Sequence, residues 1–596
     1  MQIPRVGCRH FGFFAGLQRA GFPVKRASAR RLGFLLVMVF SGARVLGAEE
    51  ESSPFITVNQ VGYLSALPKI ALVSTALGLP FEVLDLDHKA VVLKSMLTLG
   101  RANDACSGAN MWRADFSVIQ ATGTYQVVIS GVGRSPTFRI GHFLYDPLAR
   151  AAMKSFYFQR SALPLLKKYA DKWTRPAYHL SDGEIFGATG SGPHIQAASG
   201  GWYDGGDYGK YVISGAFSAG LLLMLHELQP NRFPDGSLSI PESGNGVPDI
   251  LDEVRWELEW LLRMQNEEGG VYHKLTALEP NPLELPNEKD PPRYLMPVSV
   301  TATADFCALM AKAARIYQDF DVHFATQCLQ ASLHAWRAMQ SMEDAMPFEN
   351  PPSVHTKPYS DRNDWEERFW AETELYYTTR ENDYLRRAQA LAEKRVPLLA
   401  SSGYWGNVMP LAVGAMIVHA AGRNPSDLEE EAFEDVLSLA EALMDKIDHS
   451  GLALSLGEGE FTWGSNGMVM QNTIILLLAN HIHPNPVFHD DAVEQLHYLL
   501  GRNPLSMSYV TGIGHRSPKK PYHPFSEKDK VEEPVPGLLV GGPNQFLNDG
   551  LLKRTFPAAT PPALIYLDDV ESFSSNETSI SWNAALTFVA SWMADE

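Results

Sequence analysis

A change of hydrophobic period near residue 145 constrains this chain more than any other feature. Upstream, short runs rich in β-formers cover Ile56–Tyr63, Lys69–Thr75, Phe81–Leu86, Ala90–Leu93, Trp112–Ile119 and Tyr125–Ser130, separated by turn residues such as Gly123-Thr124 and Gly131. Several short strands at close spacing predict a β-sandwich over residues 52–143. Downstream, Asp146 reads as a helix cap with Pro147 in the first turn. Helical patterns then recur to the end. In the clearest, Ile250, Leu251, Val254, Leu258, Leu261 and Leu262 line one face and Gly269-Gly270 ends the segment. Others fit near residues 300–317, 366–395, 427–446, 468–483 and 489–500, with Trp, Tyr, Pro and His clusters in the loops between them. No fixed-period repeat occurs. The pattern predicts an all-α domain over 144–596 and leaves a barrel and a solenoid equally open.

Composition limits the partners. The 596 residues carry a formal net charge of −18, and the eight Lys and Arg of residues 1–48, unmatched by any acid, leave the remainder near −26. Such a body repels nucleic acid and anionic membrane and suits a neutral substrate. Residues 1–48 themselves read as a signal peptide with a long basic n-region. Arg30-Arg31 precede the apolar run Leu32–Phe40, and Gly47-Ala48 supply small residues at its end. Secretion or periplasmic export is expected, with no membrane span after processing. Cys106, Cys307 and Cys328 form no C-x-x-C pair, and Cys307 lies in an apolar helical pattern.

The chemistry concentrates in Gly200-Gly201-Trp202-Tyr203-Asp204-Gly205-Gly206-Asp207-Tyr208-Gly209-Lys210-Tyr211. Two carboxylates three residues apart, flanked by glycines, fit a bend on which both orient or deprotonate one water. The same aspartates could simply cap the helix that follows.

This stretch closely resembles the signature of family 9 glycoside hydrolases, which usually read Asp-Ala-Gly-Asp where this chain has Gly205. Further similar stretches follow in family order: Pro241–Glu253, Gly269–Lys274, Phe461–Asn466, Leu500–Pro504, Gly541–Asn544 and Asn576-Glu577 with Trp582-Asn583. Asn59–Tyr63 resembles the start of the immunoglobulin-like module that precedes many such catalytic domains, where it is expected to brace its neighbour. The resemblance implies an immunoglobulin-like β-sandwich followed by an (α/α)6 barrel. It also implies inverting hydrolysis of a β-1,4-glucan or its oligosaccharides, with Asp207 as general base, Asp204 helping to hold the water and Glu577 as general acid. An exo-acting β-glucosidase or glucosaminidase is the alternative within the family, and a non-catalytic carbohydrate-binding protein the alternative outside it. Glu577 also stands in Asn576-Glu577-Thr578, formally a glycosylation sequon.

Sugar sites pair aromatic faces with polar groups. Trp202, Tyr203, Trp405 and Tyr566, in glycine-rich or polar loops, are candidate platforms, each also open to a packing role. Trp256 and Trp260, four apart on a helix, read as core. Where typical members carry Pro-His-His-Arg, this chain has Pro521-Tyr522-His523-Pro524, so Tyr522 and His523 are expected to bound the substrate site with altered specificity. Arg516 could reach the place of the missing arginine. No catalytic cofactor or catalytic metal is expected. His515 and His523 lack zinc-site spacing, and the structural calcium of many family members stays open without an EF-hand loop to mark it.

Overall fold

The computed structural model describes residues 52–188, 194–280, 283–287, 291–342 and 346–595. The expected signal peptide lies outside them. Ten strands come first: β1 (Ile56–Thr57), β2 (Tyr63–Leu64), β3 (Ile70–Ser74), β4 (Pro80–Asp85), β5 (Ala90–Met96), β6 (Thr98–Asp104), β7 (Ala109–Asp115), β8 (Gly123–Ile129), β9 (Gly133–Arg134) and β10 (Phe138–Gly141). One sheet has the order β1-β3-β7-β6 and the other β2-β10-β8-β4-β5, with β9 on β8. All pairings are antiparallel except β2 with β10. Alternation puts Phe81 and Val83 of β4 and Tyr125, Val127 and Ile129 of β8 into the core between the sheets. The sequence reading misses β6, because Thr98–Asp104 is a polar, largely exposed edge strand held through β7 alone.

The helical part runs α1 (Asp146–Gln159), α2 (Lys167–Ala170), α3 (Val212–Leu228), α4 (Asp249–Arg263), α5 (Val300–Tyr317), α6 (Val322–Ser341), α7 (Trp365–Thr379) and α8 (Asn382–Ala392). It continues with α9 (Met409–Ala420), α10 (Asp427–Asp448), α11 (Ser465–Ile482), α12 (Pro486–Leu499), α13 (Pro524–Lys528), α14 (Gly550–Thr555), α15 (Phe573–Asn576) and α16 (Ile580–Trp592). Short strands β11 (Glu184–Ile185), β12 (Lys210–Tyr211), β13 (Val271–Tyr272), β14 (Lys274–Thr276), β15 (Tyr294–Leu295) and β16 (Val298–Ser299) lie among them.

Helix contacts follow a ring. α3 touches α5, α5 touches α7, α7 touches α9, α9 touches α11, α11 touches α16, and α16 returns to α3. α4, α6, α8, α12 and α1 each pack against one member of that ring, and α10 packs against two, α9 and α11. α3, α9, α11 and α16 are apolar on nearly every side. A helix buried all round has no amphipathic stripe to read, which is why α3, α9 and α16 were not legible as periodic segments. The expected helix over 366–395 is two helices, α7 and α8, broken where Arg380 adopts a left-handed φ of 63°. Asp146 does not cap α1 but is its first residue, with its carboxylate on Arg150 and Arg232 at 2.8 Å each.

Residues 52–595 belong to one compact unit. Leu72 of β3 and Met111 of β7 join the helical core rather than the sandwich core. Asn59 Nδ2 donates to Tyr145 Oη at 3.0 Å and meets His497 Nδ1 at 2.9 Å, and the Gln60 amide donates to the Leu500 carbonyl at 2.8 Å. Cys106, Cys307 and Cys328 are buried and unpaired. Among the described residues no helix is long and apolar enough to cross a membrane.

Candidate active site

The loop carrying Asp204 and Asp207 is clamped at both ends. Upstream, the Trp202 amide donates to Glu257 at 2.6 Å and the Tyr203 amide to the Gln159 carbonyl at 2.9 Å. Downstream, β12 pairs with β14, Tyr211 opposite Lys274. Across the bend the Asp204 amide donates to the Gly209 carbonyl at 2.9 Å, with Tyr208 held left-handed at φ 57°. Gly206 is required by close approach, since a β-carbon there would meet the Tyr522 ring at 2.3 Å.

The two aspartates face different surroundings. Asp204 is buried and accepts from Ser214 Oγ at 2.6 Å and Tyr359 Oη at 2.6 Å, with Ser579 Oγ at 3.4 Å. Burial raises its pKa; the Ser214 and Tyr359 hydroxyls oppose that rise, and the Asp207 charge adds to it. Asp207 is half-buried and accepts from the Gly209 amide at 2.9 Å and Tyr211 Oη at 3.1 Å. These contacts position the pair, and neither aspartate is needed as a cap for α3.

Glu577 follows α15 in extended conformation. Its carbonyl accepts from the Gly541 amide at 2.8 Å, and its backbone forms a parallel bridge with Tyr522. Trp463 Nε1 donates to Oε2 at 3.1 Å, and Lys357 Nζ lies 3.3 Å from the same oxygen. Burial raises the Glu577 pKa, the Lys357 charge lowers it, and Asp207 and Asp204 raise it again. The neighbouring Asn576 amide is buried and donates to the Lys520 carbonyl at 2.6 Å, so the formal sequon is enclosed.

Asp204 and Glu577 open on a cleft of about 850 Å³ whose walls also include Lys357, Tyr359, Trp405 and Trp463; Asp207 stands beside it, outside the residues that line it. Trp405 is the expected platform that lines it, standing edge-on to Tyr359 at 4.7 Å between ring centroids. The other candidate platforms lie elsewhere. Trp202 is buried against Phe156, its indole donating to Glu253 at 2.9 Å. Tyr203 packs with Tyr208 and Phe525 and contacts His179 Nδ1 at 2.6 Å. Tyr566 is buried and donates to Asn576 at 2.6 Å, bracing the segment that carries Glu577. His523 is 1% exposed, held by Ser526 at 2.8 Å and Gln159 at 3.3 Å, and burial pushes its pKa down to about 3. All four bury their rings because the aspartate loop and the Glu577 loop are built from the inside by large side chains. Tyr522 sits between the two loops, on Gly206 and beside Glu577. Arg516 donates to the Leu505 carbonyl at 2.9 Å and its amide to Gln60, away from the cleft.

No sequence motif marks Lys357, Tyr359, Ser214 or Ser579 as part of the site, and Trp463 lies in the family-like stretch Phe461–Asn466 with no role implied by it. Lys357-Pro358-Tyr359 lies in a Pro- and Ser-rich stretch between helices with no motif of its own. The one signal there is two polar-tipped side chains flanking a proline. Among the described residues no group of three or more His, Cys, Asp or Glu is arranged to hold a metal ion. Four buried acids nevertheless cluster under this loop. Asp305, with both carboxylate oxygens unpartnered, faces Asp361, Glu366 and Glu367, and burial followed by mutual repulsion raises the pKa of Asp305 and Glu367.

An aromatic-walled cleft holding carboxyl groups in contrasting environments is the arrangement of a glycoside hydrolase. Comparison with known proteins agrees. The model of glycosyl hydrolase family 9 matches residues 145–590, and that of the cellulase N-terminal ig-like domain matches residues 51–134. A xyloglucan-specific endo-β-1,4-glucanase of Bacteroides ovatus is 34% identical over 90% of this chain and 93% of its own length. A cellodextrinase of Butyrivibrio fibrisolvens is 32% identical over 90% of this chain and 99% of its own. A metagenome-derived family 9 endoglucanase of known structure superposes with a TM-score of 0.84 at 35% identity, covering 91% of this chain and 99% of that one. The chain belongs to glycosyl hydrolase family 9.

Proposed function

We propose that this protein is an exported, inverting β-glycosidase that hydrolyses a β-1,4-glucan or its oligosaccharides, with Asp207 as general base, Asp204 as its partner in holding the water, and Glu577 as general acid. The observation that carries the reading is the contrast between the carboxyls. Burial raises the Glu577 pKa and so favours its protonated form, while Asp207, half-buried like Glu577, accepts hydrogen bonds from the Gly209 amide and the Tyr211 hydroxyl. In the reaction Glu577 gives its proton to the glycosidic oxygen as the bond to the anomeric carbon breaks. Asp207 takes a proton from the water that attacks the opposite face. Trp405 and Trp463 line the cleft and supply it with aromatic surface for a sugar. We read the closed ring of helices, each backed by an outer one, as the (α/α)6 barrel of the family. The activities of the relatives support a β-1,4-glucan backbone, and the basic and apolar character of residues 1–48 supports export.

The test is Glu577→Gln assayed on a natural oligosaccharide and on an aryl glycoside with a good leaving group. The natural substrate is expected to lose several orders of magnitude in kcat and the aryl substrate far less, because its leaving group needs little protonation. Proton NMR of fresh product from the parent protein is expected to show the α-anomer first. Normal turnover of the natural substrate by E577Q would remove Glu577 from the acid's role, and initial β-anomer would remove inversion.

A further inference from the structure

Lys357 is absent from every motif that led to the site, yet it is the cation at the candidate acid. Its Nζ lies 3.3 Å from Glu577 Oε2 and 3.7 Å from the centroid of the Trp463 ring, whose own Nε1 donates to that same oxygen. Oε1 points the other way, toward the Asp204–Asp207 loop. A β-carbon on Gly205 would come within 3.2 Å of it. A protonated carboxyl has one oxygen that accepts and one that carries the proton. Both side-chain donors that reach Glu577 go to Oε2.

The loop that brings Lys357 is itself held. Lys274 Nζ donates to the Lys357 carbonyl at 2.6 Å and to Thr356 Oγ1 at 3.1 Å, and His273 Nε2 meets the Pro358 carbonyl at 2.9 Å. Lys274 stands opposite Tyr211 in the pairing of β12 with β14, so one short sheet fixes both the base loop and the loop that reaches the acid.

We infer that Lys357 is a positioning residue for Glu577: with Trp463 it fixes Oε2 as the accepting oxygen and leaves Oε1 to carry the transferable proton. The inference rests on Glu577 being the general acid. The charged or titratable groups around the carboxyl are Lys357 from its loop, Asp204 and Asp207 from theirs, Tyr211, Tyr359 and Tyr522. Of these Lys357 is the cation and opposes the effect of burial. Removing it raises the acid's pKa, so the proton is retained to higher pH. The alkaline limb of the pH profile moves up.

The experiment is the pH dependence of kcat/KM on an oligosaccharide for Lys357→Met and Lys357→Arg, with folding checked by circular dichroism. K357M is expected to shift the alkaline limb upward by about half a unit to one unit, a reduced range because the ammonium is partly exposed. It is also expected to lower kcat more on the oligosaccharide than on an aryl glycoside. K357R is expected to restore both. A folded K357M whose alkaline limb stays put or falls would overturn the inference, even with activity lost, since that leaves only a substrate-binding or structural role. If K357M does not fold, K357Q carries the same measurement. Failure of the acid assignment is read separately, from normal turnover of the natural substrate by E577Q.

Discussion

Tyr359 donates its hydroxyl to Asp204 Oδ2 at 2.6 Å from the same loop that places Lys357 on Glu577. One short segment thus touches both the proposed acid and the aspartate that helps the base to hold the water. It lies 155 residues beyond Asp204 in sequence and reaches it because His273 and Lys274 tie the loop down.

Removing that hydroxyl leaves a buried carboxylate one partner short. Tyr359→Phe is expected to reduce kcat about ten- to a hundredfold, the order of a lost hydrogen bond to a charged group of about 1.5–3 kcal/mol. Because the Tyr359 bond lowers the Asp204 pKa, its loss raises that pKa and moves the acid limb of the rate profile to higher pH. A pH series of kcat/KM checks both. An unchanged profile with unchanged rate would count against a role for Tyr359.

Tyr522 occupies the space between the two loops where typical family members present a histidine. Its ring is packed on Gly206, while Pro524 opens α13 and is buried. Neither side chain offers a charged donor to a sugar, and Arg516 is engaged elsewhere. Weak action on long cellulose chains and better action on short or substituted β-1,4-glucans are therefore expected. Tyr522→His alone is expected to raise the ratio of long-chain to short-chain rate, since an arginine at 524 would have to enter a buried position. A substrate panel measures the ratio, and efficient cellulose digestion by the parent protein would contradict the expectation.

The sandwich domain acts on the helical domain through Asn59. Asn59→Ala leaves His497 and Tyr145 without that contact and is expected to destabilise by roughly 1–3 kcal/mol. Tm falls while KM is unchanged. Loss of substrate binding at unaltered Tm would instead make the sandwich a binding module.

Asp305, Asp361, Glu366 and Glu367 are buried together, and burial with mutual repulsion raises the pKa of Asp305 and Glu367. A group with a raised folded-state pKa stabilises below its unfolded pKa and loses that contribution as pH rises through the folded one. Asp305→Asn is therefore expected to raise Tm at neutral pH and to flatten its fall with rising pH. A Tm–pH profile unchanged by the substitution would contradict this.

The sequence by itself determined the order of a β-rich part and a helical part, because alternation and the 3.6 period are local properties. It also singled out Asp204 and Asp207, because the glycines that shape their bend lie beside them in the chain, whereas Glu577 stood out through the family resemblance alone. Only the tertiary structure decided which aromatics face the cleft. Trp202, Tyr203 and Tyr566 have the same polar-loop context as Trp405, but three of the four turn inward to support the loops they belong to. Lys357, Tyr359 and Ser579 were invisible for the complementary reason. Each acts on a carboxylate 155, 220 or 375 residues away, and no local pattern encodes a partner that only the closed ring of helices brings near.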